Sequence, residues 1–349
     1  MERNHIIDAF SKLGEVLKAV TLGEQRPECI VASDYDDLLN LIEREQHYNG
    51  WFTKESIHAA FKEIYPLLTY ESLIHWTGNY TYAKTPKTIA LILPGNLPLV
   101  GFHDFLCVLI SGHKALIKLS SEDARILPEL AKILQKIEPK LEDRMVFMDG
   151  KLKNFDAVIA TGSDNSMLHF KQYFASYPSI MRGHRTSVAV LRGVESQLDL
   201  ELLGRDIFQY FGRGCRNVTH LLLSADFDLN RFFKAIVPYA EVISHKKYAN
   251  NYDYNKAIHL MNQVPILDNN FLLLKESKDL NAPLAMIHYT RFESDRDIHE
   301  FIDSHSQQIQ CIVGNGYLPF GGAQCPKLDD YADNINTMQF LNNFAACLS

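Results

Sequence analysis

The sequence of 349 residues contains no apolar run long enough to cross a bilayer, and its longest runs, such as residues 89–94, have the length of a strand. Residues 1–17 mix charged and apolar side chains in an amphipathic pattern that a signal peptide does not show. No polybasic run occurs and the net charge is −7, so nucleic acid is not an expected partner. These absences predict a cytoplasmic protein without a transmembrane segment.

Several common signatures of function are also missing. The fourteen histidines form no HxxxH or HExxH arrangement, so we expect no metal site. The GxSxG elbow of many hydrolases and the GxGxxG dinucleotide fingerprint do not occur. The six cysteines include no CxxC pair, and a chain of this size does not need disulfides. Among them, Cys311 is expected in the core and Cys325 in a turn, where it could be exposed.

Short apolar strands alternate with helices from residue 88 onward, whereas the first 80 residues are mainly helical. The predicted strands cover residues 88–93, 115–119, 145–148, 157–160, 187–191, 218–223, 271–274, 284–289 and 309–313. Such alternation is typical of parallel sheets with crossover helices. The sequence therefore predicts an α/β fold with two αβ domains, mainly parallel sheets and a helical N-terminal region.

The same pattern predicts four regions along the chain. Residues 1–84 are the helical region, packed on a first αβ domain of residues 85–192. Residues 193–318 are a second αβ domain, and the boundary lies near Gly193, where a strand closes. The remaining residues, 319–349, are expected to return as a tail to the first domain or to an oligomer interface.

The segment Gly212-Arg213-Gly214-Cys215-Arg216 is the first candidate for reactive chemistry. Glycines allow the backbone to approach a ligand closely. The two arginines favour the thiolate, which is the nucleophilic form of cysteine. The alternative at this point is a structural cysteine buried in a turn between a helix and a strand.

Other candidates follow predicted strands of the first domain. An Asn amide in the turn Pro94-Gly95-Asn96 can donate a hydrogen bond to a developing oxyanion, and Lys118 ends the next strand within reach of a nucleotide. The turn at residues 161–163, Thr-Gly-Ser, leads into a helix and suits a pyrophosphate at the helix N-terminus. The alternatives are ordinary N-caps and a solvated lysine.

In this order the motifs resemble the aldehyde dehydrogenase superfamily and, within it, the fatty acyl-CoA reductase family typified by the bacterial luminescence reductase. The resemblance extends from about residue 85 to 325 and includes the Pro-Phe-Gly-Gly segment at residues 319–322. It implies a nicotinamide cofactor domain at 85–192, a catalytic domain at 193–318, a nucleophile at Cys215 and an oxyanion donor at Asn96. The cofactor-binding residues that it implies are Pro94, Gly95, Lys118, Ser121, Thr161, Gly162 and Ser163.

Two departures from the family pattern bear on the reaction. Where oxidising members carry Glu-Leu-Gly-Gly-Lys, residues 181–185 read Met-Arg-Gly-His-Arg, and Met181 cannot act as the base that activates water. Where relatives that prefer NAD often carry Glu, this chain has Ser121, which permits a 2′-phosphate and favours NADPH, with NADH as the alternative. The candidates for contacts with the phosphates of CoA or the cofactor are Arg182, His184, Arg185, Arg213 and Arg216.

These features predict NADPH-dependent reduction of an acyl-CoA, expected to be a fatty acyl-CoA, to the aldehyde through an acyl thioester on Cys215. One alternative is an acyltransferase or thioesterase that forms the same thioester without hydride transfer. A second alternative is a non-catalytic scaffold that binds a nucleotide on the same fold. A homo-oligomer is possible on all three interpretations.

Overall fold

A computed structural model describes residues 1–346 as two compact units. The helices are α1 Arg3–Leu22, α2 Ala32–Glu45, α3 Lys54–Ile64, α4 Tyr70–Thr77, α5 Phe102–Ile110, α6 Ile126–Ile137, α7 Asp164–Tyr173, α8 Gln197–Phe208, α9 Leu229–Ala235, α10 Lys246–Met261, α11 Asp295–Ser304 and α12 Thr337–Ala346. The strands are β1 Thr88–Ile92, β2 Lys114–Lys118, β3 Met145–Phe147, β4 Ala157–Thr161, β5 Ser179–Arg182, β6 Thr186–Leu191, β7 Val218–Ser224, β8 Leu267–Asp268, β9 Leu273–Glu276, β10 Met286–Phe292 and β11 Ile309–Gly314. None of the described helices has both the length and the apolar character needed to cross a bilayer.

Unit 1 comprises Met1–Gly183 and the described residues from Lys327 onward. Its sheet has the order β3-β2-β1-β4-β5, and all of its pairings are parallel. In chain order, β2 and β3 lie on one side of β1, and the chain then reverses so that β4 and β5 lie on the other side. In such doubly wound sheets, ligands bind outside the carboxyl ends of the strands at the point of reversal. In this unit that point lies between β1 and β4.

The N-terminal helices of unit 1 pack on the same core as α5 and α6. On α1, apolar residues recur at helical spacing, and the side chains of Ile7, Phe10 and Leu13 are fully buried. Phe10 lies edge-on to Phe102, with ring centroids 6.2 Å apart. This packing joins the predicted helical N-terminal region to the layer of helices that covers the first sheet.

Unit 2 comprises His184–Pro326, and its sheet has the order β11-β6-β7-β10-β9-β8. The pairings are parallel except for the short edge strand β8, which is antiparallel to β9. The α/β class with parallel sheets and crossover helices is thus confirmed. Strand β5 was not predicted from the sequence.

The units divide after Gly183 rather than near Gly193. The reason is strand pairing, because β5 pairs with β4 in the first sheet, whereas β6 pairs with β7 and β11 in the second. The expected tail is divided as well, because residues 319–326 belong to unit 2. Beyond them, the Tyr331 hydroxyl accepts a hydrogen bond from Trp76 Nε1 at 3.0 Å, within unit 1.

Arg182, at the end of β5, is only 3% exposed. It forms an ion pair with Asp104 of α5 and donates from Nη2 to the Thr337 hydroxyl at 2.7 Å. This geometry is at odds with the expectation that Arg182 contacts a phosphate of CoA or the cofactor. The guanidinium instead joins β5, α5 and the start of α12.

Arg182→Leu should lower the free energy of unfolding by about 3–5 kcal/mol, because it leaves the Asp104 carboxylate buried without its partner. Urea unfolding measures this loss. The control is Lys12→Met, which breaks an exposed ion pair with Asp8 and should cost about 1 kcal/mol or less. Unchanged stability combined with weaker binding of a phosphate-bearing ligand would restore the phosphate role of Arg182.

A second test concerns His220, which is fully buried in β7. Burial lowers its pKa from 6.5 to about 4, against the effect of the Asp279 carbonyl, which lies 3.1 Å from Nδ1. Since the folded-state pKa is depressed, the stability that neutral His220 provides is present above pH 6.5. It is lost as the pH falls towards 4, because the unfolded chain takes up the proton first.

We therefore expect the unfolding free energy of the wild type to fall by about 2–3 kcal/mol more than that of His220→Asn between pH 6.5 and 4. Urea unfolding across this range is the measurement. The control Asn4→Ala, at an exposed residue without a titratable group, should leave the pH profile of the wild type unchanged. Parallel pH profiles of stability for the wild type and His220→Asn would contradict the lowered pKa of His220.

Candidate active site

In unit 1, the turn after β1 lies directly against the loop after β2. Gly95 approaches Ser120 so closely that an added Cβ would lie 2.7 Å from the Ser120 Oγ. The Leu93 N–H donates to the carbonyl of Lys118 at 3.0 Å, which continues the strand pairing beyond Ile92. The structure thus brings the Pro94-Gly95 turn and Lys118 together at the carboxyl edge of the sheet. Only glycine fits at position 95.

A buried carboxylate supports this turn. The Leu99 N–H, from a residue with φ of +57°, donates to Asp123 Oδ2 at 2.9 Å. Burial raises the pKa of Asp123 to about 7, and its Oδ1 atom is buried without a hydrogen-bond partner. Asp123 was not predicted as a site residue. In the sequence it is one of two adjacent acidic residues, and its partner Glu122 is exposed.

The turn at residues 161–163 joins β4 to α7. Ser163 is the N-cap of α7, and its side chain accepts a hydrogen bond from the Ser166 N–H at 3.4 Å. An added Cβ on Gly162 would lie 3.1 Å from the Ser166 Cβ, so a side chain at Gly162 would crowd the first turn of the helix. The N-cap alternative is therefore correct for Ser163. This role is compatible with anion binding, because the N–H groups in the first turn of a helix point out of its N-terminus, where an anion can accept hydrogen bonds from them.

Since β4 pairs with β1, which in turn pairs with β2, these three turns lie at one edge of one sheet. The two turns after β1 and β4 flank the point of reversal. This is where a doubly wound sheet accepts a nucleotide. Of the other candidates, Ser121 is exposed in the loop after β2, and Asn96 is partly exposed after Gly95.

In unit 2, Cys215 lies in a tight turn between α8 and β7. The Asn217 N–H donates to the Gly214 carbonyl at 3.0 Å, so Cys215 and Arg216 occupy the two central positions. Before this turn the chain passes through three successive residues with left-handed backbone, Tyr210, Phe211 and Gly212, at φ of 54°, 60° and 77°. Cys215 is partly exposed. The alternative predicted a buried thiol, and in this respect the structure differs from it.

The segment at residues 319–323 is held beside this turn. The fully buried Asp206 of α8 accepts from the N–H groups of Gly321 at 2.7 Å and Ala323 at 2.9 Å. Arg216 donates from Nε to the carbonyl of Ala323. Burial raises the pKa of Asp206 to about 6, although these two N–H groups and the neighbouring Arg205 and Arg216 act in the opposite direction. The Cys215 turn and the Pro-Phe-Gly-Gly segment are thus neighbours within unit 2.

The structure also places the remaining cysteines and basic candidates of this unit. Arg185 donates to the carbonyl of Ile309 at 3.1 Å, and His184 is exposed. Cys325 is exposed, and its Sγ lies 3.7 Å from Nη2 of Arg205. Because Arg205 is distant in sequence, the residues that flank Cys325 did not predict this cation. Cys325 therefore remains a rival thiol. Cys311 is only partly buried, contrary to its expected place in the core.

The sequence model of the family described as acyl-CoA reductase (LuxC) matches residues 35–242, more than half of the chain. The matched range includes the turns after β1, β2 and β4 and the Cys215 turn. No curated protein sequence matches the chain.

Solved structures of aldehyde dehydrogenases have a similar fold. The Bacillus cereus enzyme in complex with NAD⁺ is 12% identical, with a TM-score of 0.61 over 90% of this chain and 72% of that one. An NAD-dependent enzyme from Sinorhizobium meliloti is 12% identical, with a TM-score of 0.64 over 90% and 70% of the two chains.

Aldehyde dehydrogenase 21 from Physcomitrella patens, in complex with the reaction product succinate, is 12% identical, with a TM-score of 0.61 over 97% of this chain and 87% of that one. At such identities these structures show the fold alone. The family follows from the sequence match, which covers more than half of the chain. The chain belongs to the acyl-CoA reductase (LuxC) family and has the aldehyde dehydrogenase fold.

Proposed function

We propose that this acyl-CoA reductase converts a fatty acyl-CoA to the aldehyde with NADPH, through an acyl thioester on Cys215. The observation that carries the proposal is the placement of Cys215. It is a partly exposed thiol at the centre of a tight turn, beside the family's Pro-Phe-Gly-Gly segment and the cationic Arg216. A thiol in such surroundings is suited to nucleophilic attack.

In the proposed acyl transfer, the Cys215 thiolate attacks the carbonyl carbon of acyl-CoA. A new carbon–sulfur bond forms, the bond to CoA breaks, and the CoA thiolate leaves and takes up a proton from water. The oxyanion of the intermediate is proposed to accept hydrogen bonds from the backbone N–H of Cys215 and the amide of Asn96, the latter on the strength of the family resemblance. One such donor contributes roughly 3 kcal/mol to lowering a barrier of this kind.

Met181 supports reduction over hydrolysis as the fate of the thioester. It lies on β5, partly buried against an apolar cluster that includes Ala90 and Val158. A thioether in apolar surroundings cannot take a proton from water. An acid-forming enzyme needs that step, whereas reduction of a thioester does not.

We assign the nicotinamide cofactor to the carboxyl edge of the unit 1 sheet. The N-terminus of α7 with Gly162 and Ser163 is suited to its pyrophosphate, and Lys118 to its ribose hydroxyls or phosphate. Pro94, Gly95 and Thr161 border the same edge. When bound, the reduced nicotinamide supplies the hydride. The protein contributes binding and orientation.

The remaining basic candidates are proposed to meet the phosphates of CoA or the cofactor. These are His184, Arg185, Arg213 and Arg216, all in unit 2. Arg185 and Arg216 each already donate to a backbone carbonyl, of Ile309 and Ala323 respectively. A guanidinium has five N–H donors, so these bonds orient the side chain and leave it capable of binding a phosphate.

An apolar cavity of about 60 Å³ lies beside the Cys215 turn and is suited to part of an acyl chain. Its lining includes Ile207, Phe208, Phe211, Val218, Leu272 and Leu284. The lining is mainly apolar, and we propose that acyl carbons near the thioester enter this cavity.

The thioester is tested by incubating the protein with acyl-CoA without cofactor and measuring its intact mass. The wild type and the control Cys325→Ser should both gain the mass of one acyl group, because Cys325 is not the proposed nucleophile. Cys215→Ser should gain none and lose reductase activity by a factor on the order of 10⁴ or more. An adduct that depends on Cys325 would transfer the role of nucleophile to that residue.

Adding NADPH to the wild-type adduct should discharge it as aldehyde, with oxidation of the cofactor. Release of CoA from acyl-CoA without oxidation of NADPH would instead identify a thioesterase or acyltransferase. The absence of any adduct in the wild type would favour the non-catalytic scaffold.

Cofactor choice is tested at Ser121. A carboxylate there should repel the 2′-phosphate, so Ser121→Glu should reduce the preference for NADPH over NADH in kcat/KM by about 10-fold to 100-fold. Ser121→Gln is the matched control, because it has the same size without the charge. An equal preference in both variants would remove Ser121 from the ribose site.

A further inference from the structure

Asn217, the last residue of the Cys215 turn, is fully buried and uses both ends of its amide. Its Oδ1 accepts from the Gly214 N–H at 2.7 Å. Its Nδ2 lies within hydrogen-bond distance of three backbone carbonyl oxygens, those of Asp206 at 3.0 Å, Ile207 at 3.2 Å and Gln209 at 2.9 Å. The last carbonyls of a helix have no partners within it, so Asn217 satisfies the end of α8 and attaches the turn to it.

Ser187 of β6 holds the turn from the other side and is also fully buried. Its hydroxyl donates to the carbonyl of Cys215 at 3.0 Å and accepts from the N–H of Cys311 at 3.2 Å. The Ser187 Oγ, which also lies 3.1 Å from the Cys311 Sγ, thus links the Cys215 carbonyl to the neighbouring strand β11.

Together these bonds fix three successive peptide planes. The plane before Gly214 is held through its N–H by the Asn217 side chain. The plane between Gly214 and Cys215 is held through its carbonyl by the Asn217 N–H, and the plane after Cys215 through its carbonyl by Ser187. The direction of the Cys215 N–H and of its Cα–Cβ bond follows from these planes.

We infer that Asn217 and Ser187 are positioning residues for the reaction of Cys215, which orient its thiol and its backbone N–H towards the acyl carbonyl. This inference rests on the proposed function of Cys215. Neither residue belongs to the motifs through which the chain resembles its family. Their contribution lies in orientation, since a displacement of about 1 Å in an active site can cost about 100-fold in rate.

The test compares Asn217→Ala and Ser187→Ala with the wild type in reduction of acyl-CoA. At saturating substrate, kcat should fall by about 10-fold to 100-fold in Asn217→Ala and by about 3-fold to 10-fold in Ser187→Ala. The KM for acyl-CoA should stay within about threefold, and alkylation of Cys215 by iodoacetamide should be no slower than in the wild type. This combination separates misorientation of the thiol from loss of its access or its nucleophilicity.

Asn255→Ala is the matched control. Asn255 is another buried residue of unit 2, and its amide donates to the carbonyl of Leu284 at 2.9 Å. This variant should lose thermal stability but retain kcat. If Asn217→Ala does not fold, Ser187→Ala carries the test, because it removes one hydroxyl and creates little empty space.

Folded variants with kcat within about twofold of the wild type would overturn the inference. So would an equal loss of kcat in Asn255→Ala, or alkylation that slows in parallel with kcat. A wild-type protein that forms no acyl adduct on Cys215 would overturn the proposed function, and the inference with it. An adduct in the wild type combined with unchanged kcat in the variants would overturn the inference alone.

Discussion

In unit 1, the parallel pairing of β1 with both β2 and β4 determines where every proposed cofactor residue lies. Parallel neighbours end at the same edge, so three turns that are distant in sequence meet there. The fit is tight at Gly95, where a Cβ would collide with Ser120, and the buried Asp123 supports the turn from below. The edge to which we assign the nucleotide is therefore a consequence of strand order, and side chains add the local shape.

In unit 2, buried polar side chains hold the Cys215 turn and the segment at residues 319–323. A buried polar group is costly unless it is hydrogen-bonded, and once bonded it allows only a few arrangements of its partners. Both oxygens of Asp206 and both ends of the Asn217 amide have such partners. The segment at residues 319–323 and the Cys215 turn are thereby held against the C-terminal end of α8.

Periodicity and the order of motifs predicted the α/β class, most strands and the likeness to the family, because these depend on local patterns and on spacing. Interactions between distant residues were out of reach. The buried contacts of Arg182 are with Asp104, 78 residues before it, and with Thr337, 155 residues after it. The boundary between the two units was misplaced for the same reason, because only the pairing of β6 with β11 assigns β6 to the second sheet. Likewise, no residue near Cys325 in sequence indicates that Arg205 lies beside its thiol.

The discontinuity of unit 1 has a consequence for how the protein is made. Ribosomes synthesise the strands of its sheet first, then all of unit 2, and only afterwards residues 327–346. Until that last segment emerges, Trp76 lacks the Tyr331 hydroxyl and Arg182 lacks the Thr337 hydroxyl. Unit 1 can thus form its full set of hydrogen bonds only after all of unit 2 has been synthesised, although its own strands are made first.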